Sequence, residues 1–162
     1  TRDVTLDGLQ PLIQSAMGWM NSHLYSFVIG QDRYSDPIMA GDEYSDPDEI
    51  PSDSVRLSEL VSRHGSKFEL QYEYDFGDGW LHKIKLESVS GAQPDVRYPR
   101  CVEGAQACPP EDIGGVWGFA EFVEAITNPQ HERYDEFMEW IGPFNPNQFD
   151  AVKTTRSMRR RG

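Results

Sequence analysis

Apolar and polar residues alternate without a break from Phe68 to Phe76. Phe68, Leu70, Tyr72, Tyr74 and Phe76 fall on one side, and Glu69, Gln71, Glu73 and Asp75 on the other. This is the period of a strand with one buried face. Gly77-Asp78-Gly79 then supplies turn chemistry, and Trp80, His82, Ile84 and Leu86 resume the period on a returning strand. The polar sides of this hairpin offer two cross-strand charge pairs, Glu73 with Lys83 and Glu69 with Lys85. Tyr25, Phe27 and Ile29 mark another strand over residues 23–29. Leu9, Leu12, Ile13, Ala16 and Met17 follow helical spacing, which predicts a helix from about 7 to 17. Gly18 is its stop, and Pro11 fits only within its first turn.

Further along, residues 54–63 suggest a short helix closed by Gly65. Trp117, Ala120, Phe122, Val123 and Ile126 trace a helix ending at Asn128-Pro129, and Tyr134, Phe137, Met138 and Ile141 trace another ending at Gly142-Pro143. Asn145-Pro146 is a cap and first-turn pair for a weak last helix. Residues 30–54 read as a long loop with a short strand near Arg33 and Tyr34, and residues 96–98 as one more strand. No linker divides the chain. The expectation is a single α+β domain, a largely antiparallel sheet with a central hairpin and helices packed on it.

Composition narrows the class. At 162 residues the chain has room for one ordinary core, and a hydrophobic content of 38% excludes a disordered protein. No apolar run approaches the roughly 20 residues that span a bilayer, and nothing at Thr1 reads as a signal peptide. Two cysteines point to a reduced, cytoplasmic protein without a membrane partner. The net charge of −12 is unevenly spread, because Lys153, Arg156, Arg159, Arg160 and Arg161 all lie in the last ten residues. Ten bases then face 27 acids over residues 1–152, a net charge of −17 that repels a phosphate backbone. Nucleic acid is expected to be met only through those five residues, and the terminal run reads first as a solvated, frayed end. Residues 1–152 are accordingly read as the domain and 153–162 as a basic tail.

The long loop carries the one internal repeat, Tyr34-Ser35-Asp36-Pro37 and Tyr44-Ser45-Asp46-Pro47, with Asp42, Glu43, Asp48, Glu49 and Asp53 around it. It lacks the alternating carboxylates, glycine and closing glutamate of a calcium loop. It reads as a solvated acidic flap, with a docking strip for a basic partner as the alternative.

Two groups of residues carry candidate chemistry. Asp75, Asp78 and His82 lie at or beside the hairpin turn, where a carboxylate can orient an imidazole for acid–base work. Yet His82 shares its side with Trp80, Ile84 and Leu86, where an imidazole is commonly a core group satisfied by one hydrogen bond, and aspartates at a turn commonly bond its amides. The second group is Cys101 and Cys108, with Glu103, Glu111 and Asp112 nearby. Their separation is wider than a Cys-x-x-Cys turn, so the thiols can be loop-packing, metal-bound or disulfide-linked, and a metal would need two further ligands. His23 and His82 are the nominees beside Cys101 and Cys108. No Gly-x-Ser-x-Gly elbow is present, and no serine lies among arginines as a serine recombinase requires. Trp19, Trp80, Trp117 and Trp140, with Tyr72, Tyr74 and Tyr98, either fill the core or line a groove.

Three blocks of sequence resemble one family. The run Tyr72 to His82, Tyr-Glu-Tyr-Asp-Phe-Gly-Asp-Gly-Trp-Leu-His, is similar to the signature of the plasmid pRiA4b ORF-3-like family. The run from Tyr98-Pro99-Arg100-Cys101 through Cys108-Pro109-Pro110-Glu111-Asp112 to Gly114-Gly115 resembles its other hallmark, and Ile13 to Trp19 with Ser22-His23-Leu24 its N-terminal motif. The resemblance implies an α+β domain from plasmids or mobile elements, with no activity generally established and some relatives labelled resolvase-like. It also implies a further strand before the first helix, which this chain would lack. The leading expectation is a non-enzymatic binding module that needs no cofactor. Its surface would combine Asp75, Asp78, Trp80, His82, Cys101, Glu103, Cys108, Glu111 and Asp112, facing a protein or small ligand. The alternatives are a divalent-metal hydrolase or nuclease built on Asp75, Asp78 and His82, and a DNA-transaction accessory acting through the arginine tail.

Overall fold

The hairpin predicted by alternation forms one side of an open sheet. In the computed structural model, which describes residues 3–40 and 47–161 with the side chain of Arg161 excepted, β4 (Phe68–Tyr74) pairs antiparallel with β5 (Trp80–Leu86). β1 (Tyr25–Ile29) lies antiparallel on the other side of β4, β2 (Asp32–Ser35) antiparallel to β1, and the short β3 (Ile50–Pro51) parallel to β2. The sheet order is β3-β2-β1-β4-β5. Tyr25, Phe27, Ile29, Tyr34, Leu70, Tyr72, Tyr74 and Trp80 bury one face. Glu69, Gln71, Glu73, Lys83 and Lys85 occupy the other.

Register decides the charge pairs on that polar face. Glu69 lies opposite Lys85, as expected, at 2.9 Å, but Glu73 lies opposite Leu81 and Lys83 opposite Gln71. Lys83 therefore reaches diagonally to Glu69 at 3.5 Å, and Glu73 finds Arg33 of β2 at 3.8 Å. The expected Glu73–Lys83 pair does not form.

α1 (Leu6–Met17) covers the aromatic face. Thr5 caps it by accepting the Gly8 N–H at 3.0 Å, and Gly18, at φ 92°, ends it in the left-handed conformation that glycine adopts without strain. Pro11 lies beyond the first turn, contrary to expectation, and supplies no N–H to the Asp7 carbonyl. The deeply buried stripe is Leu6, Gln10 and Gln14, while Leu9, Ile13 and Met17 form a half-buried shoulder. The glutamines go inside because their amides have partners there. Gln14 donates to the Tyr72 hydroxyl at 3.0 Å and accepts the Asn21 N–H at 3.0 Å, and Gln10 donates to the Asn21 side chain.

α2 (Leu57–His64) is closed by Gly65. α3 (Gly115–Thr127) and α4 (Tyr134–Trp140) meet through Phe122, whose ring centroid lies 5.2 Å from that of Phe137 and 5.1 Å from that of Phe144. Each fully buried phenylalanine contributes roughly 1.5–3 kcal/mol. Trp117, expected on the inner face of α3, is 87% exposed. The first turn of α3 presents Gly115 and Gly118 inward instead, where a Cβ would run into the carbonyl oxygens of Asp78 and Ile113 respectively.

Residues 96–98 form no strand, and Asn145 caps no helix; it holds the Asn147 N–H in a local turn. The last helix, α5 (Ala151–Arg161), starts instead at Asp150, whose carboxylate accepts the Val152 and Lys153 N–H groups, each at 2.9 Å. The basic end is therefore a docked helix rather than a frayed tail. α5 packs on α1, buried Thr155 accepts the Cys101 N–H at 3.0 Å, and Arg159 donates to the carbonyls of Pro99 and Arg97. Its partners come from a loop some fifty residues away, which local propensity does not register. Lys153, Arg156 and Arg160 remain exposed. In the long loop Tyr34 is fully buried, whereas Tyr44, Ser45 and Asp46 of the second repeat, with Asp42 and Glu43, lie outside the described residues.

Candidate functional site

The β4–β5 turn is built around Asp75. Its backbone takes the left-handed conformation (φ 55°), which lets its Oδ1 accept the N–H groups of Gly77 at 3.0 Å and Asp78 at 3.3 Å. Asp78 reaches away from the turn and accepts the Gly114 N–H at 3.1 Å, and Gly115 lies against the Asp78 carbonyl. The turn thus grips the start of α3 and the loop before it.

One residue earlier, Tyr74 fastens the same loop from beneath. Its hydroxyl donates to Glu111 Oε1 and accepts the Ser22 N–H at 2.9 Å and the His23 N–H at 3.3 Å. Burial, then the Glu111 carboxylate, pushes the phenol pKa well above its ordinary value, so it stays a neutral donor. The other Glu111 oxygen accepts the Met20 N–H at 2.7 Å, and Trp19 donates to the Pro109 carbonyl at 2.9 Å while its ring stacks on Tyr74 at 4.9 Å.

This clamping brings His23 between two aspartates. His23 Nε2 lies 2.7 Å from Asp112 Oδ1 and 3.5 Å from Asp75 Oδ2. Among the described residues these three offer ligand atoms that all lie within 4.8 Å of one another. Asp75, Asp78, Glu111 and Asp112 bring four carboxylates together, and among the described residues no Lys or Arg pairs with any of them. Exposed Phe76, Met20, Val116 and Trp117 lie close to these acids along the chain or across the clamp.

Of the residues singled out in the sequence, Asp75, Asp78, Glu111 and Asp112 meet here. Trp80 is buried behind the turn, with its ring centroid 5.9 Å from that of Trp19. His82 is displaced from the cluster. It points into the aromatic face, its Nδ1 3.3 Å from the Tyr72 carbonyl and its ring 5.5 Å edge-on from Trp19, and burial lowers its pKa. The two cysteines are free thiols with separate roles. Cys101 belongs to the α5 contact and donates to the Glu103 carbonyl at 3.5 Å, the contact through which exposed Glu103 enters the structure. Cys108 packs against the core, where burial and then Glu111 push its thiol up to about 12. Neither cysteine nor His82 joins a three-donor group among the described residues. His23 does, with partners that residue order alone does not assign to it. The available signal was its place in one of the three blocks, all of which contribute residues to this spot.

An α+β domain whose three sequence-distant blocks close on one acidic corner defines a recognisable class. The chain belongs to the plasmid pRiA4b ORF-3-like protein family, whose model matches residues 1–153. It is 43% identical over 141 residues to the uncharacterized protein y4hQ of Sinorhizobium fredii, covering 86% of this chain and 69% of that protein. The crystal structure of MM3350 from Methanosarcina mazei Go1, a protein of unknown function, superposes with a TM-score of 0.77 at 30% identity. That match covers 93% of this chain and 83% of the matched chain. Among the described residues no helix is long and apolar enough to cross a membrane.

Proposed function

We propose that the chain is a non-enzymatic recognition module that holds a cationic segment of a partner protein at the corner formed by the β4–β5 turn and residues 109–117. The observation that carries this reading is the convergence of His23, Asp75, Asp78, Glu111 and Asp112, drawn from all three blocks, on one side of the molecule. Four carboxylates with no Lys or Arg partner among the described residues favour Lys or Arg on the ligand. Exposed Trp117, on the helix turn next to Gly115, adds an aromatic face on which a guanidinium gains about 0.5–1 kcal/mol. A body with net charge −17 over residues 1–152 disfavours nucleic acid there.

The test is fluorescence anisotropy with a panel of labelled peptides carrying Lys or Arg beside an apolar residue. Binding should weaken as salt rises and should fall severalfold in Trp117→Ala and Asp112→Asn. A panel in which nothing binds, or in which those variants bind like the parent, refutes the reading.

A second reading, metal-dependent hydrolysis, is favoured by the approach of His23, Asp75 and Asp112, with His23 taking the role expected of His82. A metal there would lower the pKa of bound water. Turnover of phosphodiester or ester substrates that depends on added divalent ion would support it; inactivity across both classes with Zn2+ and Mn2+ would dispose of it.

A further inference from the structure

We infer that His23, Asp75 and Asp112 form a binding site for one divalent transition ion of borderline softness, of the kind of Zn2+. The inference stands apart from the peptide reading, since it rests on three atoms rather than on the surface around them. An imidazole nitrogen and two carboxylate oxygens arrive from the segment before β1, the hairpin turn and the loop before α3, all within 4.8 Å of one another. Bonds of about 2.0–2.1 Å in a tetrahedral shell separate ligands by about 3.3 Å. The His23–Asp75 separation of 3.5 Å already meets that spacing. The His23–Asp112 separation of 2.7 Å must open by about 0.6 Å to meet it, and the Asp112 side chain, 60% exposed on a loop, is free to do so.

A second observation comes from Asp75. The residue is 8% exposed, and Oδ1 is occupied by two backbone N–H groups, while among the described residues Oδ2 accepts no hydrogen bond. Its neighbour is His23 Nε2, which is directed at the closer Asp112 oxygen. With Oδ1 taken up by the turn, Oδ2 is the Asp75 oxygen left for a cation, with the His23 imidazole beside it. The other two carboxylates do not compete. Asp78 Oδ2 is bound to the Gly114 N–H, and Glu111 has both oxygens engaged. One nitrogen with two oxygens selects a borderline ion over the all-oxygen shells of Ca2+ and Mg2+, with water completing the coordination. On binding, His23 would carry its hydrogen on Nδ1 and give up the bond to Asp112.

The experiment is equilibrium dialysis of the whole chain against Zn2+ alone, with the metal counted by atomic emission and its shell read by X-ray absorption. One ion per chain is expected, with an imidazole among its neighbours. His23→Gln and Asp112→Asn should each weaken binding by about tenfold or more, since even outer-shell losses cost about 10–100-fold. Glu69→Gln, the same change of charge at the far end of the hairpin, should leave it intact. Asp75→Asn is added with circular dichroism as a folding check, and the two more exposed positions decide the outcome. Sub-stoichiometric binding, a shell containing sulfur, or affinity unchanged in the His23→Gln, Asp112→Asn double variant would overturn the site.

Discussion

The two ends of the β4–β5 hairpin hold carboxylates in opposite ways. At the open end Glu69 lies between Lys85 and Lys83, with all three side chains at least half exposed. At the turn end Asp75, Asp78 and, through Tyr74, Glu111 are held mainly by backbone N–H groups and a buried phenol. Long flexible partners in water give weak, salt-screened attraction that any neighbouring lysine can supply. Backbone amides have fixed positions, so each carboxylate they hold fixes the distance between two pieces of chain. Residues of one chemical type thus decorate one end of a ribbon and lock the other.

The largest test of that contrast is Gly115→Ala. Its φ of 67° and its contact with the Asp78 carbonyl leave no room for a Cβ, so the turn must release α3. We expect a loss of about 2–4 kcal/mol in chemical denaturation. A loss below about 1 kcal/mol would show that the grip is slack. Tyr74→Phe comes next. It strips Glu111 of a donor and the Ser22 and His23 N–H groups of an acceptor, for an expected loss of about 2 kcal/mol in the same denaturation experiment.

The acid limb of stability is a subtler effect. Burial lowers the pKa of His82 from 6.5, so the folded protein binds its proton less readily than the unfolded chain does. The stability contributed by the neutral imidazole is complete above about pH 6.5 and drains away as pH falls through the lower folded value. Melts from about pH 7.5 to 5 should show that decline, and His82→Gln should flatten it. The smallest effect belongs to the open end, where Glu69→Gln should leave Tm within about 1 °C of the parent. A shift several times larger would mean that the two ends are not so different.

Much of this fold could be read from residue order alone. A period-two run closed by Gly-Asp-Gly admits one local solution, so the hairpin and its turn acids were legible, as were the Gly18 and Gly65 stops. Several of the errors share a cause, a partner distant in sequence. Gln10 and Gln14 are buried because Tyr72 and Asn21 receive them, while Asp150 and Thr155, not Asn145, set the last helix in place. Trp117 matched the helical period but lost the inner face to glycine, because the hairpin turn comes too close for a ring. The acidic corner was half visible. Asp75, Asp78, Glu111 and Asp112 stood out as turn and loop acids, but the choice of His23 over His82 depends on which way the segment before β1 and the strand β5 present their side chains.

The unequal burial of the tryptophans has a practical consequence. Trp19 and Trp80 are shielded behind the turn, whereas Trp117 and Trp140 face water. Emission from the native protein should therefore be a blend of a blue component and a quencher-accessible red one. Replacing Trp140 with Phe would leave the red component to Trp117 alone, giving the acidic corner an optical label that evolution has already installed.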